Sequence, residues 1–216
     1  MSENPKMREF KLVGGELSVD FMNTVGGWNS NPVKKSGHDY QDVLRAETLE
    51  TYTDLVAWSR QVKLLTDGET KRLLAVAEKK SQQAEKVLRR ALDLRQSIYR
   101  LFKSAIKGWK PEASDLEKLN QELSIANKHE TINYDRDGFG WKWNINDESL
   151  DYMLWRISQS AAELLTSGDL TRLHQCGGDS CGWMFLDTSR NRSRQWCDMR
   201  DCGNLAKVRR FRQKTN

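Results

Sequence analysis

The sequence has few histidines, no glycine-rich phosphate loop and no long apolar run. Its three histidines, His38, His129 and His174, are scattered, and it contains no HExxH, nucleophile-elbow or GxxxxGK motif. No stretch approaches the roughly 18 apolar residues of a membrane span, and the opening MSENPKMREF has no apolar signal-peptide core. These absences argue against an enzyme and predict a cytoplasmic protein without a membrane segment.

Cysteine is also scarce, but its placement is regular. The four cysteines form two C-x4-C pairs, Cys176 with Cys181 and Cys197 with Cys202. Two such turns can bring four thiolates to one tetrahedral cation, which predicts a closed structural site for one zinc ion per chain. Two disulfides or four unrelated buried thiols are the alternatives, but disulfide scaffolds are typical of small secreted chains. His174 could compete as a ligand, although four cysteines already complete a four-coordinate site.

The net charge is confined to the cysteine-bearing end of the chain. The whole sequence has a net charge of +5, and residues 169–216 alone carry ten basic and five acidic residues, which is also +5. A basic patch beside a metal site is typical of a phosphate-binding surface, whereas the alternative is a basic terminus that is merely solvated. We therefore predict a body of residues 1–168 and a zinc module of residues 169–216.

The order of patterns in the zinc module predicts a treble-clef-like fold. Trp183 and Phe185 alternate as in a strand, TSRNRS predicts a turn, and residues 194–196 predict a return strand. Leu205, Val208 and Phe211 recur every three residues, which predicts the inward stripe of a final helix. The expected order is therefore knuckle, hairpin, knuckle and helix.

This fold would present two basic ridges to a nucleic-acid duplex, one at the hairpin tip and one on the final helix. The candidate DNA-binding residues are Arg190, Arg192, Arg194, Arg200, Lys207, Arg209, Arg210, Arg212 and Lys214.

The motifs of the tail resemble the CGNR zinc finger. That family combines a C-x4-C pair with F-x-D-x-S and W-C-x-M-x-x-C-G-N-R-x-K segments, and Leu205 stands here where the family has arginine. The matching residues of the two segments are Phe185, Asp187, Ser189, Trp196, Cys197, Met199, Cys202, Gly203, Asn204 and Lys207. Near the other end, GGELSVDFMNTV (residues 14–25) resembles the opening of the ABATE domain, which precedes this finger in a family of bacterial stress-induced transcription regulators. The resemblance implies a transcription regulator.

The body is predicted to be mostly helical, with one β-hairpin. Helical patterns cover residues 49–62, 67–107 as one bent helix or two, 114–127 and 147–168. Thr66 with Glu69 predicts a capping box, and Gly108, Ser114, Asp147 and Gly168 are predicted caps. Alternating residues on both sides of DRDG predict a half-buried hairpin with an aromatic face.

Asp20 and Asn23 are the notable polar residues of the body. They lie three apart in an apolar segment, so they would share one face of a helix or line the end of a strand. One interpretation is that they brace backbone turns, because buried polar groups need partners. The other is that they line a pocket for a small effector, with Trp28, Trp141 or Trp143 as apolar walls.

The sequence therefore predicts an α+β protein with a mostly helical body and a C-terminal treble-clef-like zinc finger. The expected function is a zinc-containing, DNA-binding transcription regulator whose N-terminal domain senses a small effector. A zinc-stabilised module that binds protein or RNA is the alternative, and an enzyme acting at Asp20 and Asn23 is a third reading that no catalytic constellation supports. A single finger covers little DNA, so a homodimer would help specific binding.

Overall fold

The computed structural model describes residues 7–30, 42–146, 148–166 and 169–215. Along these ranges the helices and strands follow one another in this order: α1 (Leu17–Met22), β1 (Trp28–Ser30), β2 (Asp42–Leu44), α2 (Tyr52–Gln61), α3 (Asp67–Lys79), α4 (Ser81–Lys107), α5 (Ala113–Asn127), β3 (Glu130–Asp135), β4 (Gly138–Trp143), α6 (Tyr152–Thr166), β5 (Leu173–Gln175), β6 (Met184–Leu186) and α7 (Asn204–Thr215). A 3-10 turn (Asp169–Arg172) precedes β5, and a π-helical turn (Met199–Gly203) precedes α7. The fold is mostly helical with a β-hairpin, as the sequence predicts.

Local signals place the helix ends. Thr51 with Asp54 and Thr66 with Glu69 form capping boxes at the starts of α2 and α3, and each box satisfies two backbone N–H groups. Gly108 adopts a left-handed conformation, with φ of 66°, and ends α4. The predicted N-cap at Ser114 is wrong, because α5 begins at Ala113 and its N-cap is therefore Glu112. The predicted caps Asp147 and Gly168 lie outside the described residues.

The long helix α4 is the centre of the body. Its side chains Ala91, Leu94 and Ile98 are fully buried, and α1, α2, α3, α5 and α6 all contact it. The same hydrophobic core also includes Leu173 of β5 and Met184 of β6. Residues of both parts of the chain therefore share one hydrophobic core.

A buried ion pair joins α4 to the loop between β2 and α2. The Arg95 side chain is fully buried and its guanidinium contacts Glu47 through two hydrogen bonds, of 2.8 and 2.5 Å. It also donates to the carbonyl oxygen of Thr24 at 2.7 Å. The paired geometry is the arrangement that lets a guanidinium remain charged in an apolar core.

The described sheets are all two-stranded and antiparallel: β1 with β2, β3 with β4, and β5 with β6. The predicted hairpin of the body forms β3 and β4, with the turn at Asp135–Gly138. Its aromatic face is exposed, however, so the prediction of a half-buried hairpin is wrong. The reason is that only the base of the hairpin, at Trp143, packs against α6. Within the described ranges, none of the helices has the length and apolar character that crossing a membrane requires.

Candidate metal centre and nucleic-acid interface

The four cysteines converge on one point. Cys176 follows β5, Cys181 lies just before β6, Cys197 belongs to the loop after β6, and Cys202 lies in the π-helical turn before α7. Their sulfur atoms all lie within 4.8 Å of one another, and none of the four forms a disulfide. The cluster therefore joins two turns that are distant in the sequence.

The sulfur spacing fits a tetrahedral zinc ion. The Sγ atom of Cys197 lies 3.5 Å from that of Cys181 and 3.6 Å from that of Cys202. Four sulfurs around one zinc would be about 3.8 Å apart, given a Zn–S bond of about 2.3 Å. His174 lies outside the cluster and its ring faces Phe185, so the donor set is four cysteines.

Backbone groups and thiol contacts prepare the cluster for a cation. The amides of Gly178 and Cys197 both donate to the Cys176 sulfur. Hydrogen bonds from the thiols of Cys181 and Cys197 lower the pKa of Cys176 to about 2, and contact with Cys176 raises the pKa of Cys181 to about 12. A divalent cation is what lets all four sulfurs become thiolates at such short distances from one another.

Two glycines allow the first turn to approach its neighbours. A Cβ at Gly178 would lie 3.2 Å from the Cys202 sulfur, inside the cysteine cluster. Gly182 has a φ of 65°, and a Cβ there would lie 2.3 Å from the Trp28 carbonyl oxygen. Glycine is needed at Gly182, because a side chain there would push the turn away from the body. At Gly178 a side chain would require the neighbouring cysteines to shift by a few tenths of an ångström.

The strand pairing in the finger differs from the prediction. β6 pairs with β5, with Leu173 opposite Leu186 and Gln175 opposite Met184, so the first cysteine turn lies inside this hairpin. Residues 194–196 form no strand, although the Gln195 carbonyl accepts a hydrogen bond from Gly177. The predicted hairpin between the two cysteine pairs is therefore wrong. β5 takes one edge of β6, and on the other edge Met184 bonds the Asn23 side chain and the Leu186 amide donates to the Gly14 carbonyl oxygen.

Asp187 organises the loop that replaces the predicted hairpin. Its buried carboxylate accepts hydrogen bonds from the amides of Ser189 and Arg194, both at 2.8 Å. The Ser189 side chain contributes most to lowering the Asp187 pKa, and these two amides lower it further. Asp187 matches the F-x-D-x-S segment, and Asp-x-Ser is also a turn signature because the carboxylate can bond the amide two residues on, so the sequence carried a signal for this role.

The candidate arginines of this loop have different surroundings. Arg190 and Arg192 are exposed, and Arg192 has a φ of 48°. Arg194 instead points inward, where it donates to the carbonyl oxygens of Val13, Trp196 and Cys197. Its guanidinium lies 4.2 Å from the centroid of the Phe185 ring. The expectation that Arg194 stands with the other two at an exposed tip is not met, because these contacts hold it in the interior of the finger.

The final helix α7 is basic along much of its surface. Its Lys207, Arg210 and Arg212 are exposed and form no ion pair within the described part of the chain. Arg200 lies in the preceding π-helical turn and is also exposed. The hydrogen bond from Lys11 lowers the pKa of Asp198, and the charge of Arg200 helps to lower it further. Arg209 is held in an ion pair with Asp179 of the first cysteine turn. Lys214 lies in α7, but its side chain is outside the description.

The apolar stripe of α7 faces solvent. Leu205, Val208 and Phe211 are all exposed, so the prediction that they point inward is wrong. The reason is that α7 makes its main contacts with the π-helical turn that precedes it, so most of the surface of these three side chains stays in solvent. An open cleft of about 420 Å³ runs between α7 and the first cysteine turn, and Arg45 of the body donates to the Ser180 carbonyl oxygen at its edge.

The side chains of Asp20 and Asn23 both form hydrogen bonds with backbone groups. The Asn23 amide donates to the Met184 carbonyl oxygen at 2.8 Å and accepts from the Met184 amide at 3.1 Å. Asp20 accepts from the amides of Val13 and Gly14, while burial raises its pKa and these hydrogen bonds lower it. This geometry favours the bracing interpretation.

The aromatic walls that were expected for an effector pocket have other surroundings. Trp28 stacks on Tyr99 with their ring centroids 3.9 Å apart, and Trp143 packs on Trp155. Trp141 is exposed on the hairpin. The structure thus gives no support to an effector site at Asp20 and Asn23, which stays a prediction.

Comparison with protein families agrees with these observations. The model of the CGNR zinc finger matches residues 172–215. The ABATE model, whose family is described as "Putative stress-induced transcription regulator", matches residues 15–168, which is more than half of the chain. No curated protein matches the chain significantly.

Proposed function

Because the chain belongs to the ABATE family and carries a CGNR zinc finger with a four-cysteine site for one zinc ion, we propose that it is a transcription regulator that binds DNA through this finger. We also propose that residues 1–168 form its regulatory body and residues 169–216 its DNA-binding module.

The observation that carries the proposal is the group of free cations on the finger. The chain's whole excess charge of +5 lies in residues 169–216. Five exposed residues, Arg190, Arg192, Lys207, Arg210 and Arg212, have no acidic partner among the described residues. In residues 1–168, in contrast, basic and acidic residues are equal in number, and some exposed cations form ion pairs, such as Arg60 with Asp67. Cations left unpaired on one module are what a polyanion requires, because each phosphate contact releases a condensed counterion.

Zinc would act structurally in this mechanism. When bound, it neutralises thiolates and joins the first cysteine turn to the start of α7. Cys202 leads directly into α7, and Cys197 follows the loop that holds Arg190 and Arg192. The cluster therefore fixes the loop and the helix relative to each other, and it sets the spacing at which their cations would meet phosphates.

The two basic regions would contact different parts of the DNA. We assign Lys207, Arg210 and Arg212 to phosphate contacts, because they lie along one exposed helix. Arg190 and Arg192 extend from a loop and would reach base edges in a groove, where arginine pairs with guanine through two hydrogen bonds. Arg194 supports the loop from inside and would not contact DNA.

A second candidate function is a module that binds protein or RNA. The exposed stripe of Leu205, Val208 and Phe211 favours a protein partner, since an apolar helix face is a common docking element. Loss of DNA binding on removing the free cations separates the candidates, because a protein that docks on the stripe would depend on the apolar residues instead.

The experiment is a salt titration of DNA binding by the full zinc-loaded protein, on a duplex identified by genome-wide occupancy mapping. The double variant Arg190→Ala, Arg192→Ala should bind this duplex more weakly at every salt concentration. The matched control removes two exposed cations of α4, with Lys86→Ala and Arg89→Ala, and it should bind like the wild type. Wild-type affinity in the finger variant would contradict the proposal.

A further inference from the structure

The hairpin of β3 and β4 exposes a continuous aromatic face. Its register places Ile132 opposite Trp141 and Tyr134 opposite Phe139, so these four side chains lie on the same face. They are 66%, 70%, 69% and 82% exposed, in the same order. The rings of Tyr134 and Phe139 are already in contact, with their centroids 4.9 Å apart.

The other face of the hairpin is different in chemistry. It carries Thr131, Asn133 and Gly140, and a Cβ added at Gly140 would meet nothing within 4 Å. All the large apolar side chains therefore lie on one face. A ribbon that only needed to be soluble would not gather them there, because an exposed apolar patch of this kind marks an interaction surface.

The base of the hairpin is fixed to the body. Trp143 packs against Trp155 and Tyr152 of α6, and Gln159 of α6 donates to the Glu130 carboxylate at 2.7 Å. These contacts hold the start of the aromatic face against the helix. The rest of the face continues beyond α6 without a described partner.

The size of the exposed face matches the smallest stable interface between two copies. A buried aromatic side chain contributes about 150–250 Å², so three aromatics and one isoleucine at these exposures present about 500 Å² per chain. Two copies that cover each other's face would bury about 1,000 Å², which is the size that a biological interface should reach.

The charges around the face are complementary to themselves. The turn at the tip carries Asp135, Arg136 and Asp137, with a net charge of −1. At the base, Arg156, Lys142 and Glu130 together have a net charge of +1, and the exposed Arg156 lies over the Trp143 ring, 5.9 Å from its centroid. When two hairpins pair in opposite directions, the acidic tip of one lies over the basic base of the other.

We propose that a second copy of this chain covers the aromatic face, so that the protein forms a two-fold symmetric dimer through paired β3–β4 hairpins. A two-fold interface uses the same patch on both copies, which agrees with the self-complementary charge and apolar pattern. The proposal does not depend on DNA binding by the finger. If the finger does bind DNA, the dimer carries two fingers and would favour a site with two-fold symmetry.

The test is analytical ultracentrifugation of the full zinc-loaded chain without DNA, at about 1 to 100 µM. An interface of about 1,000 Å² predicts a reversible dimer with a dissociation constant in the micromolar range. The double variant Phe139→Ser, Trp141→Ser should raise this constant about 30-fold or more, as expected for two central aromatic residues. Thr131→Ala with Asn133→Ala changes the opposite face and should leave the constant within about twofold. Circular dichroism and zinc content verify folding.

Charge-swap variants provide a second test that does not remove apolar residues. Arg156→Asp and Asp137→Arg should each weaken self-association, and a mixture of the two should form a mixed dimer more readily than either forms with itself. Three results would overturn the proposal: a monomeric wild type at 100 µM, a dimer that survives Phe139→Ser, Trp141→Ser, or a monomer whose aromatic face instead binds single-stranded oligonucleotides or lipid vesicles.

Discussion

Asn23 and Met184 exchange two hydrogen bonds across the junction between the helical body and the finger. Asn23 caps the end of α1, and Met184 opens β6, 161 residues further along the chain. Both residues are buried, and Trp183 adds a third link by donating to the Val25 carbonyl oxygen at 3.0 Å. The first strand pair of the finger is thus part of the body's core, and the second half of the finger depends on the cysteine cluster.

Replacing Asn23 by Ala should lower the free energy of unfolding by about 1–3 kcal/mol, because the amide and carbonyl of Met184 would be left buried without partners. Urea denaturation measures this change. Asn191→Ala is the matched control, since Asn191 is exposed in the finger loop and its loss should change stability by less than about 0.5 kcal/mol. An Asn23→Ala protein with wild-type stability would contradict the bracing role.

Removing zinc should loosen the finger only beyond its first strand pair. The cysteine cluster joins the loop and α7, whose contacts with the body include polar ones between Lys11 and Asp198 and between Arg194 and Val13. β5 and β6, in contrast, contribute Leu173 and Met184 to the main hydrophobic core. A chelator should therefore raise amide hydrogen exchange over residues 187–215 while the helices α2 to α6 stay protected. Purified protein should contain one zinc per chain, and Cys202→Ser should behave like the chelated protein. Uniform exchange across all elements would show that the metal stabilises the whole chain.

Arg194→Ala should destabilise the finger, whereas Arg192→Ala should not. Arg194 donates to three carbonyl oxygens and lies over Phe185, so its loss should cost about 2 kcal/mol or more. Arg194→Lys should not restore stability, because an ammonium group cannot reproduce the planar fork of the guanidinium. Thermal unfolding of the three variants is the measurement. If Arg194→Ala instead loses DNA affinity with no change in melting temperature, Arg194 belongs to the DNA-binding surface.

The free energy of unfolding should fall in acid partly because Glu47 becomes protonated. Burial alone raises the pKa of Glu47, but the hydrogen bonds and charge of Arg95 outweigh it and lower the pKa below its ordinary value of 4.5. A lowered pKa means that this contribution is fully present above about pH 4.5 and is lost as the pH falls through the folded-state value. Glu47→Gln should therefore be less stable at pH 7, and its stability should depend less on pH below 5.

The size of the Glu47 effect follows from the exposure of the pair. Arg95 is fully buried, but the Glu47 side chain is 30% exposed, so solvent screening reduces the cost of breaking the pair. We expect about 2–4 kcal/mol at pH 7, somewhat below a fully buried pair. Denaturation at several pH values tests this, and parallel pH profiles for wild type and variant would exclude the mechanism.

Single arginine variants of the finger should show two kinds of change in DNA binding. Arg210→Ala and Arg212→Ala should each lower the slope of log affinity against log salt by about 1 and weaken all sequences alike. Arg209→Ala should change the slope less, because Asp179 already neutralises Arg209. At least one of Arg190→Ala and Arg192→Ala should instead cost about 1–3 kcal/mol on the specific site alone. Equal slopes for the wild type, Arg210→Ala and Arg212→Ala would exclude α7 as a phosphate-binding element.

The metal site and most of the helices could be predicted from sequence patterns alone. With only four cysteines, in two C-x4-C pairs, the spacing favours one four-sulfur cluster over disulfides, and the structure brings the four sulfurs together. The helices follow from apolar periodicity and from short-range caps such as Thr66 with Glu69 and Gly108, because these signals act within one turn of the chain. The resemblance to the two families also depends on local motifs.

Which faces are covered and how the strands pair became clear only from contacts between distant parts of the chain. Periodicity shows that Leu205, Val208 and Phe211 share one side of a helix, and that the hairpin has an aromatic face. It cannot show whether another element packs there, because burial depends on residues far away in the sequence. For the same reason the sequence did not predict the contacts of Arg194 with Val13 and of Arg95 with Glu47. In these pairs the two residues are 181 and 48 positions apart in the sequence. Strand pairing is equally non-local. The sequence pattern favours pairing of β6 with residues 194–196, whereas in the folded chain β6 pairs with β5.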